Sequence, residues 1–452
     1  MRLSTSLPLL VCAASAAAQV PQGWYAFGTF AGATSTLTRG IFLAHPRSAA
    51  PVTAVTGLTG DLTVTGTACI LYRESDGALL VGERAPAATS VDVHVLQLSG
   101  TAVVADMPIS VGTGNSVGEI PQMGWLPDGR VVVAATDLSD GPLKNYLTTR
   151  YGWQGLGIVD TQNATVTPVP ISNGATIVDV FNALAVAPDG QSVYLGTYVS
   201  NTSGDIWNVP LPAGGPATLV ANLPGGISNM AFDDQGYLWV TDAYTSQGLY
   251  KVDLATNTFV TVPHSAGAIN GIAFEHTTGN FAFVTGGAGV PARSGFWTDP
   301  AGTNNLLATP AGIATPSGVA IRPNPARHGT GSAAANRYDW ALRPNPGGLP
   351  LTGNAGFSLT LRTTGSGTTL AGVYLIATQA LATPLHVLGV DLWLDPATIH
   401  LSGLVPAAPL ATIPLPIPAD PSLVGLPLFA QGFALEAGDL LGATPAVAFT
   451  TL

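Results

Sequence analysis

Charge is scarce in this chain of 452 residues: Lys and Arg number 15, Asp and Glu 26, together 9% of the sequence. A globular protein usually carries about a quarter. The only lysines are Lys144 and Lys251, and the net charge is -11. An acidic chain with so few cations has no basic face for a phosphate backbone, so nucleic acid is not an expected partner. Adhesion to anionic lipid is excluded on the same ground. Cysteine is nearly absent, with Cys12 and Cys69 alone. Past the first residues no apolar run is long enough to span a bilayer, so no membrane insertion is expected. Zinc spacings are missing as well: the seven histidines, His45, His94, His264, His276, His328, His386 and His400, show neither H-x-H nor H-E-x-x-H.

What the chain does have is turns: Gly and Pro supply 54 and 36 residues. The opening "MRLSTSLPLLVCAASAAAQ" joins a basic start at Arg2 to an apolar stretch and an A-x-A ending at Ala18. It reads as a signal peptide over 1–18, cut before Gln19. That places the mature chain outside the cytoplasm, as a secreted, periplasmic or cell-surface protein. Val11 before Cys12 fits a lipoprotein site poorly. With Cys12 removed, Cys69 in "GTACILY" has no intrachain partner and reads as a small buried hydrophobe.

The most regular stretch is "SNMAFDDQGYLWVTDAYTSQGLYKVDLATNTFVTVP", Ser228–Pro263. Short alternating apolar segments separated by "DDQG", "AYTSQG" and "ATN" predict four antiparallel strands. Copies follow a period of roughly 40–60 residues. They begin at "ACILYRESDGALLVGER", "MGWLPDGRVVVAATD", "NALAVAPDGQSVYLGTYV" and "NGIAFEHTTGNFAFVTGG", with turn glycines Gly77, Gly129, Gly190, Gly236 and Gly279 keeping register. The segment "GWYAFGTF…GIFLAHP…PVTAVTG" near the start lacks a first strand, and "SGVAIRPNP" at Ser317–Pro325 is a first strand with nothing after it. Joined, they complete a ring and remove free sheet edges. The expectation is all-β: a six-bladed β-propeller over 19–325, closed by strands from both ends, then a small polar linker over 326–337. From Tyr338 to 452, alternating strands and Pro-rich connectors without helical periodicity predict a β-sandwich.

The repeats "SNMAFDDQGYLWVTDAY", "LYKVDLATNTF", "NALAVAPDG" and "NGIAFEHTTG" resemble the NHL and gluconolactonase-like (SMP-30) propellers. They are less similar to streptogramin-lyase propellers. The ending "ADPSLVGLPLFAQGFAL" looks like a module at the C-termini of secreted proteins of environmental bacteria, which implies an accessory role.

Isolated catalytic patterns do not hold together. "GNSVG" at Gly114–Gly118 matches a nucleophile pattern, but Pro121 and a strand follow where the chemistry needs a helix. "DLSDG" at Asp137–Gly141 lacks the ligands of a calcium loop. Asp233 and Asp234 read as turn residues, and Asp242 as the cap of the next turn.

One constellation remains. The residues entering the innermost strands, Thr67, Gln122, Asn182, Asn229, Asn270 and Ser317, are all polar and uncharged. They read either as plugs that satisfy backbone groups or as a channel-mouth site for a small polar ligand or a cation. The gluconolactonase-like resemblance implies a divalent metal at this mouth, held by Glu, Asn and Asp, with Asn182 and Asn270 at the asparagine position. Here Ser317 replaces the Glu, and neither Asn229 nor Asn270 is Asp. The streptogramin-lyase resemblance would need Glu275 and His276 at the mouth. The leading reading is a monomeric, non-catalytic module that binds a small polar ligand, a glycan or a protein. It needs no cofactor, although calcium could sit at Asn182, Asn229 and Asn270. The alternative is a metal-dependent hydrolase or lactonase.

Overall fold

The computed structural model describes residues 24–451 apart from 31–36, 45–51, 74–76, 127, 145, 149–151, 174–176, 178, 234–235, 244–247, 265–266, 276–279, 288–289, 298–304, 308–312, 323–325, 329–331, 334–337, 343–351, 364–368, 406–409, 437–439 and 445. The expected signal peptide with Cys12, His45, Asp234, His276 and Gly279 lie outside these residues.

The chain is all-β. Its sheets are antiparallel, and the one α-helical turn among the described residues is Asp61–Val64. The stretch read as four strands forms Ile227–Phe232, Leu238–Asp242, Leu249–Asp253 and Thr258–Thr261, paired in that order. Leu238–Asp242 is buried at every position, whereas Thr258–Thr261 is exposed at every position. This meander therefore runs from buried inner strands to a wet outer edge, as a propeller blade requires. Two further four-stranded meanders begin with Val180–Val186 and Ile269–Glu275. The turn glycines Gly77, Gly129, Gly190 and Gly236 all have positive φ (71°, 85°, 70° and 84°), which explains why glycine marks each copy.

Thr315–Ile321 pairs with Tyr25–Phe30, setting Tyr25 opposite Ile321 and Phe27 opposite Val319, so the two ends of this region share one sheet as expected. The inner strands Thr67–Tyr72, Ala102–Trp125, Val180–Val186, Ile227–Phe232, Ile269–Glu275 and Thr315–Ile321 each touch the next, and the last touches the first. Apolar side chains fill the wedges between sheets. Leu80, Val93, Ile120 and Val133 pack in one wedge, and Leu156, Phe181, Leu195 and Val209 in another.

One departure is the strand Ala102–Trp125, 24 residues long. The repeat spacing implied a break between "AVVADMP" and "MGWLPDG". Instead the strand pairs with Ser90–Ser99 through its first half and Val131–Asp140 through its second, fusing two meanders into an eight-stranded sheet. "GNSVG" lies inside it. Its irregular backbone is held by the Asp137 carboxylate, which accepts from the Ser116 and Val117 amides (3.1 and 2.7 Å), the Ser116 hydroxyl and Asn115 Nδ2.

The C-terminal strands form sheets of their own. Among the described residues, no strand up to Ile321 pairs with one from Ala326 onward. The expected linker contributes to this part: Ala326–His328 pairs with Ala446–Thr450, and Ser332–Ala333 with Leu440–Ala443. Small residues such as Ser332 and Ala333 fit a sheet edge as readily as a linker, so composition could not separate the two. Phe357, Leu359 and Ile413 on one sheet share a core with Ile376, Ala430 and Phe449 on the other, the arrangement of a sandwich.

Cys69 is a free thiol, 3% exposed in the first wedge, and burial pushes its pKa up. Cys69 should resist Ellman's reagent in the native protein and react in full once guanidinium unfolds it. Rapid native labelling would contradict this burial.

Candidate functional site

The start of each inner strand carries a recurring irregularity. Pairing shifts between Thr67 and Cys69, Phe181 and Ala183, Ile227 and Asn229, and Ile269 and Gly271. The extra residues Asn182, Ser228 and Asn270 are thereby aimed sideways at the next sheet. Asn182 Nδ2 donates to Ile227 O (3.0 Å), Ser228 Oγ to Ile269 O (2.9 Å), Asn270 Nδ2 to Pro316 O (2.9 Å) and Ser317 Oγ to Thr67 O (2.6 Å). Gln154 does the same work between two other sheets, donating to Asp179 O (2.8 Å) and accepting from Phe181 N (3.1 Å). The remaining junction needs no such latch. There the backbone itself pairs, Arg84 with Glu119 and Pro86 with Val117, and Ala68 stands at the bulge.

The six sequence-chosen residues therefore divide by role. Asn182, Asn270 and Ser317 latch sheet to sheet. Thr67 is fully buried against the neighbouring sheet, where a Cβ on Gly28 would come 1.8 Å from its Oγ1. Gln122 and Asn229 instead reach across the channel. Gln122 Nε2 donates to Asn229 Oδ1 and Met230 O (both 2.9 Å), and its Oε1 accepts from Leu184 N (2.9 Å). Ser228 and Gln154 were missed. Ser228 was legible, since it stands as far before Gly236 as Asn182 does before Gly190. Gln154 lies on Gly152–Asp160, the third strand of its meander, and carried no signal.

Beyond the Gln122–Asn229 bridge lies a cavity of about 260 Å³ bounded by all six inner strands. Its far walls are apolar and aromatic, including Trp125, Val186, Phe232, Phe274 and Ile321, all half-buried. Tyr72 also lines it and is 4% exposed. Its hydroxyl has no hydrogen-bond partner among the described residues, and burial raises its pKa against the pull of Arg322.

A second group of polar residues lies away from the channel, on Leu79–Pro86, Ser90–Ser99 and the start of Ala102–Trp125. His94 Nε2 stands 3.1 Å from Glu83 Oε2, and its Nδ1 stands 2.9 and 3.1 Å from the two Asp106 oxygens. Glu83 is 3% and His94 7% exposed. Burial opposes a charge on His94, but the hydrogen bonds and charges of Glu83 and Asp106 outweigh it and raise the pKa to about 9. Burial also pushes the Glu83 carboxyl up, against the pull of His94. Glu83, Asp92 and His94 each offer a ligand atom, all within 4.8 Å of one another. The sequence reading missed this set because its members sit on paired strands rather than in one short motif. Asp233 is a turn residue as expected, accepting from Tyr237 N (2.9 Å) and Trp239 Nε1 (2.8 Å).

No family model matches the chain. No curated protein matches it either. Among solved structures it is similar to TolB from Acinetobacter baumannii, at 10% identity and TM-score 0.45, covering 67% of each chain. It is also similar to a Bacteroides thetaiotaomicron structural genomics protein of unknown function, at 12% identity and TM-score 0.41, covering 71% of this chain and 87% of that one. Kuenenia stuttgartiensis hydrazine synthase matches at 11% identity and TM-score 0.36, over 69% and 80%. Among the described residues no helix is long and apolar enough to cross a membrane.

Asn270→Ala leaves the Pro316 and Gly286 carbonyls without their shared donor. It should cost about 1–3 kcal/mol in urea unfolding, and an unchanged midpoint would show that the latch contributes nothing. The His94 pKa lies above the ordinary value of about 6.5. Its contribution to stability is therefore complete below that pH and lost as pH rises through about 9. In EDTA, the wild-type melting temperature should fall from pH 6.5 to 9.5 more steeply than that of His94→Gln. Parallel curves would refute the assignment.

Proposed function

We propose that the chain is an exported binding module, a closed six-bladed β-propeller that holds a small amphipathic ligand in its central channel, with the C-terminal sandwich as an accessory domain. The observation that carries this reading is the change of polarity along the channel. At one end Gln122 and Asn229 form a hydrogen-bonded floor. At the other, Trp125, Phe232 and Phe274 offer apolar surface to the cavity. A ligand with an aromatic or aliphatic body gains by displacing water from those walls.

This shifts the expected site inward from the ring of six. Four of its members, Asn182, Asn270, Ser317 and Thr67, are engaged with or packed against neighbouring sheets, while Gln122 and Asn229 remain as cavity lining. A hydrolase of the gluconolactonase type finds no support in the ring, which holds no carboxylate to balance a divalent cation.

A fragment library screened by thermal shift and confirmed by calorimetry tests the reading. Ligands with an apolar body should bind the wild type and fail on Val186→Trp, which adds bulk at the cavity wall. Ligands that bind Val186→Trp unchanged, or none across the library, would overturn it.

A further inference from the structure

We propose that Glu83, Asp92 and His94 form a site for a single divalent transition metal, with zinc the best fit, on the side of the first complete meander and separate from the channel. Three side chains from two adjacent strands present one nitrogen and two carboxylates within 4.8 Å of one another. Register explains the convergence. Gly82 pairs with Val93, which places Glu83 opposite Asp92, and His94 follows two residues later on the same face.

Each of these donors is already held by a second group that leaves another donor atom for a metal. The Asp92 amide donates to Glu83 Oε1 (2.7 Å), leaving Oε2 facing His94. The Ser90 hydroxyl donates to Asp92 Oδ1, and Ser90 is itself 2.8 Å from Ser110 Oγ. Asp106 takes His94 Nδ1 with both oxygens, which directs Nε2 toward Glu83. A carboxylate behind a histidine, fixing its tautomer and ring plane, is the usual outer-shell support of a metal-bound imidazole. The 3.1 Å between His94 Nε2 and Glu83 Oε2 is close to the spacing of two donors on one tetrahedral ion with bonds of about 2.0–2.2 Å.

The charge of the group points the same way. Three carboxylates surround one imidazole, and among the described residues no Arg or Lys pairs with any of the four. Arg84, next in sequence to Glu83, is turned to Glu119 instead. Three carboxylates against one imidazole leave an excess of acid beside two nearly buried members, Glu83 and His94, with Asp92 and Asp106 nearer solvent. A divalent ion on neutral His94 reduces that excess. The nitrogen donor favours zinc and its neighbours over calcium or magnesium, and three protein ligands leave a coordination position for water.

The test uses the full-length chain after EDTA dialysis, titrated with zinc chloride by calorimetry and followed by melting temperature. Cobalt(II) absorption serves as a direct readout of coordination. One equivalent should bind saturably, raise the melting temperature and give a visible cobalt spectrum. His94→Gln and Asp92→Asn should abolish all three. Asp106→Asn should keep the stoichiometry but bind about 10–100-fold more weakly. Absence of saturable binding in the wild type, or a cobalt spectrum that survives His94→Gln, would overturn the proposal, the latter by placing the metal elsewhere. None of these variants touches the channel, so failure here leaves the ligand reading intact.

Discussion

The propeller rests on how neighbouring sheets are joined at its centre. Within a meander the strands share a backbone ladder, but between meanders there is mostly side-chain packing. Five junctions are fastened by a polar side chain reaching a main-chain group of the next sheet: Gln154, Asn182, Ser228, Asn270 and Ser317. Where the long strand Ala102–Trp125 runs through two meanders, direct backbone pairing takes the place of such a latch. These bonds satisfy carbonyls that would otherwise be left unpaired where the inner strands crowd together.

That solution constrains where function can sit. Amides spent on main-chain groups are poor recognition elements, so the polar end of the channel is mainly structural. Gln122 shows this best, contacting strands from two other sheets at once. The opposite end carries no such duty, and its half-buried aromatic side chains line the cavity. Among the described residues, the buried hydroxyls of Tyr72, Thr67 and Thr285 have no hydrogen-bond partner, a cost borne where the inner part of the molecule is most tightly packed.

Scarcity of charge gives the Glu83–His94–Asp106 group its significance. A protein that keeps only 9% of its residues charged has nevertheless assembled three carboxylates around one histidine on adjoining strands. Elsewhere among the described residues each ion pair joins one acid to one base, as Arg130 does with Asp128 and Arg84 with Glu119. A nearly buried imidazole with a carboxylate on each side has to be accommodated by its surroundings, through protonation or through a metal.

From the sequence alone, period-2 alternation and turn glycines revealed the strands, the repeat and the pairing of Tyr25–Phe30 with Thr315–Ile321. Those signals are local, and burial on both faces of a blade enforces them. The list of polar residues entering the inner strands was legible too, because an apolar run beginning with Asn or Ser stands out. Their roles were not. A one-residue bulge decides whether a side chain points sideways, as Ser228 does, or across the channel, as Asn229 does, and bulges leave no compositional mark. The fused strand was hidden because "GTGNSVG" reads as a loop until Asp137, about twenty residues on, supplies its missing hydrogen bonds. The Glu83–Asp92–His94 cluster was hidden for the same reason. Which residues face one another across a sheet depends on register, and register is decided only when the wedges pack.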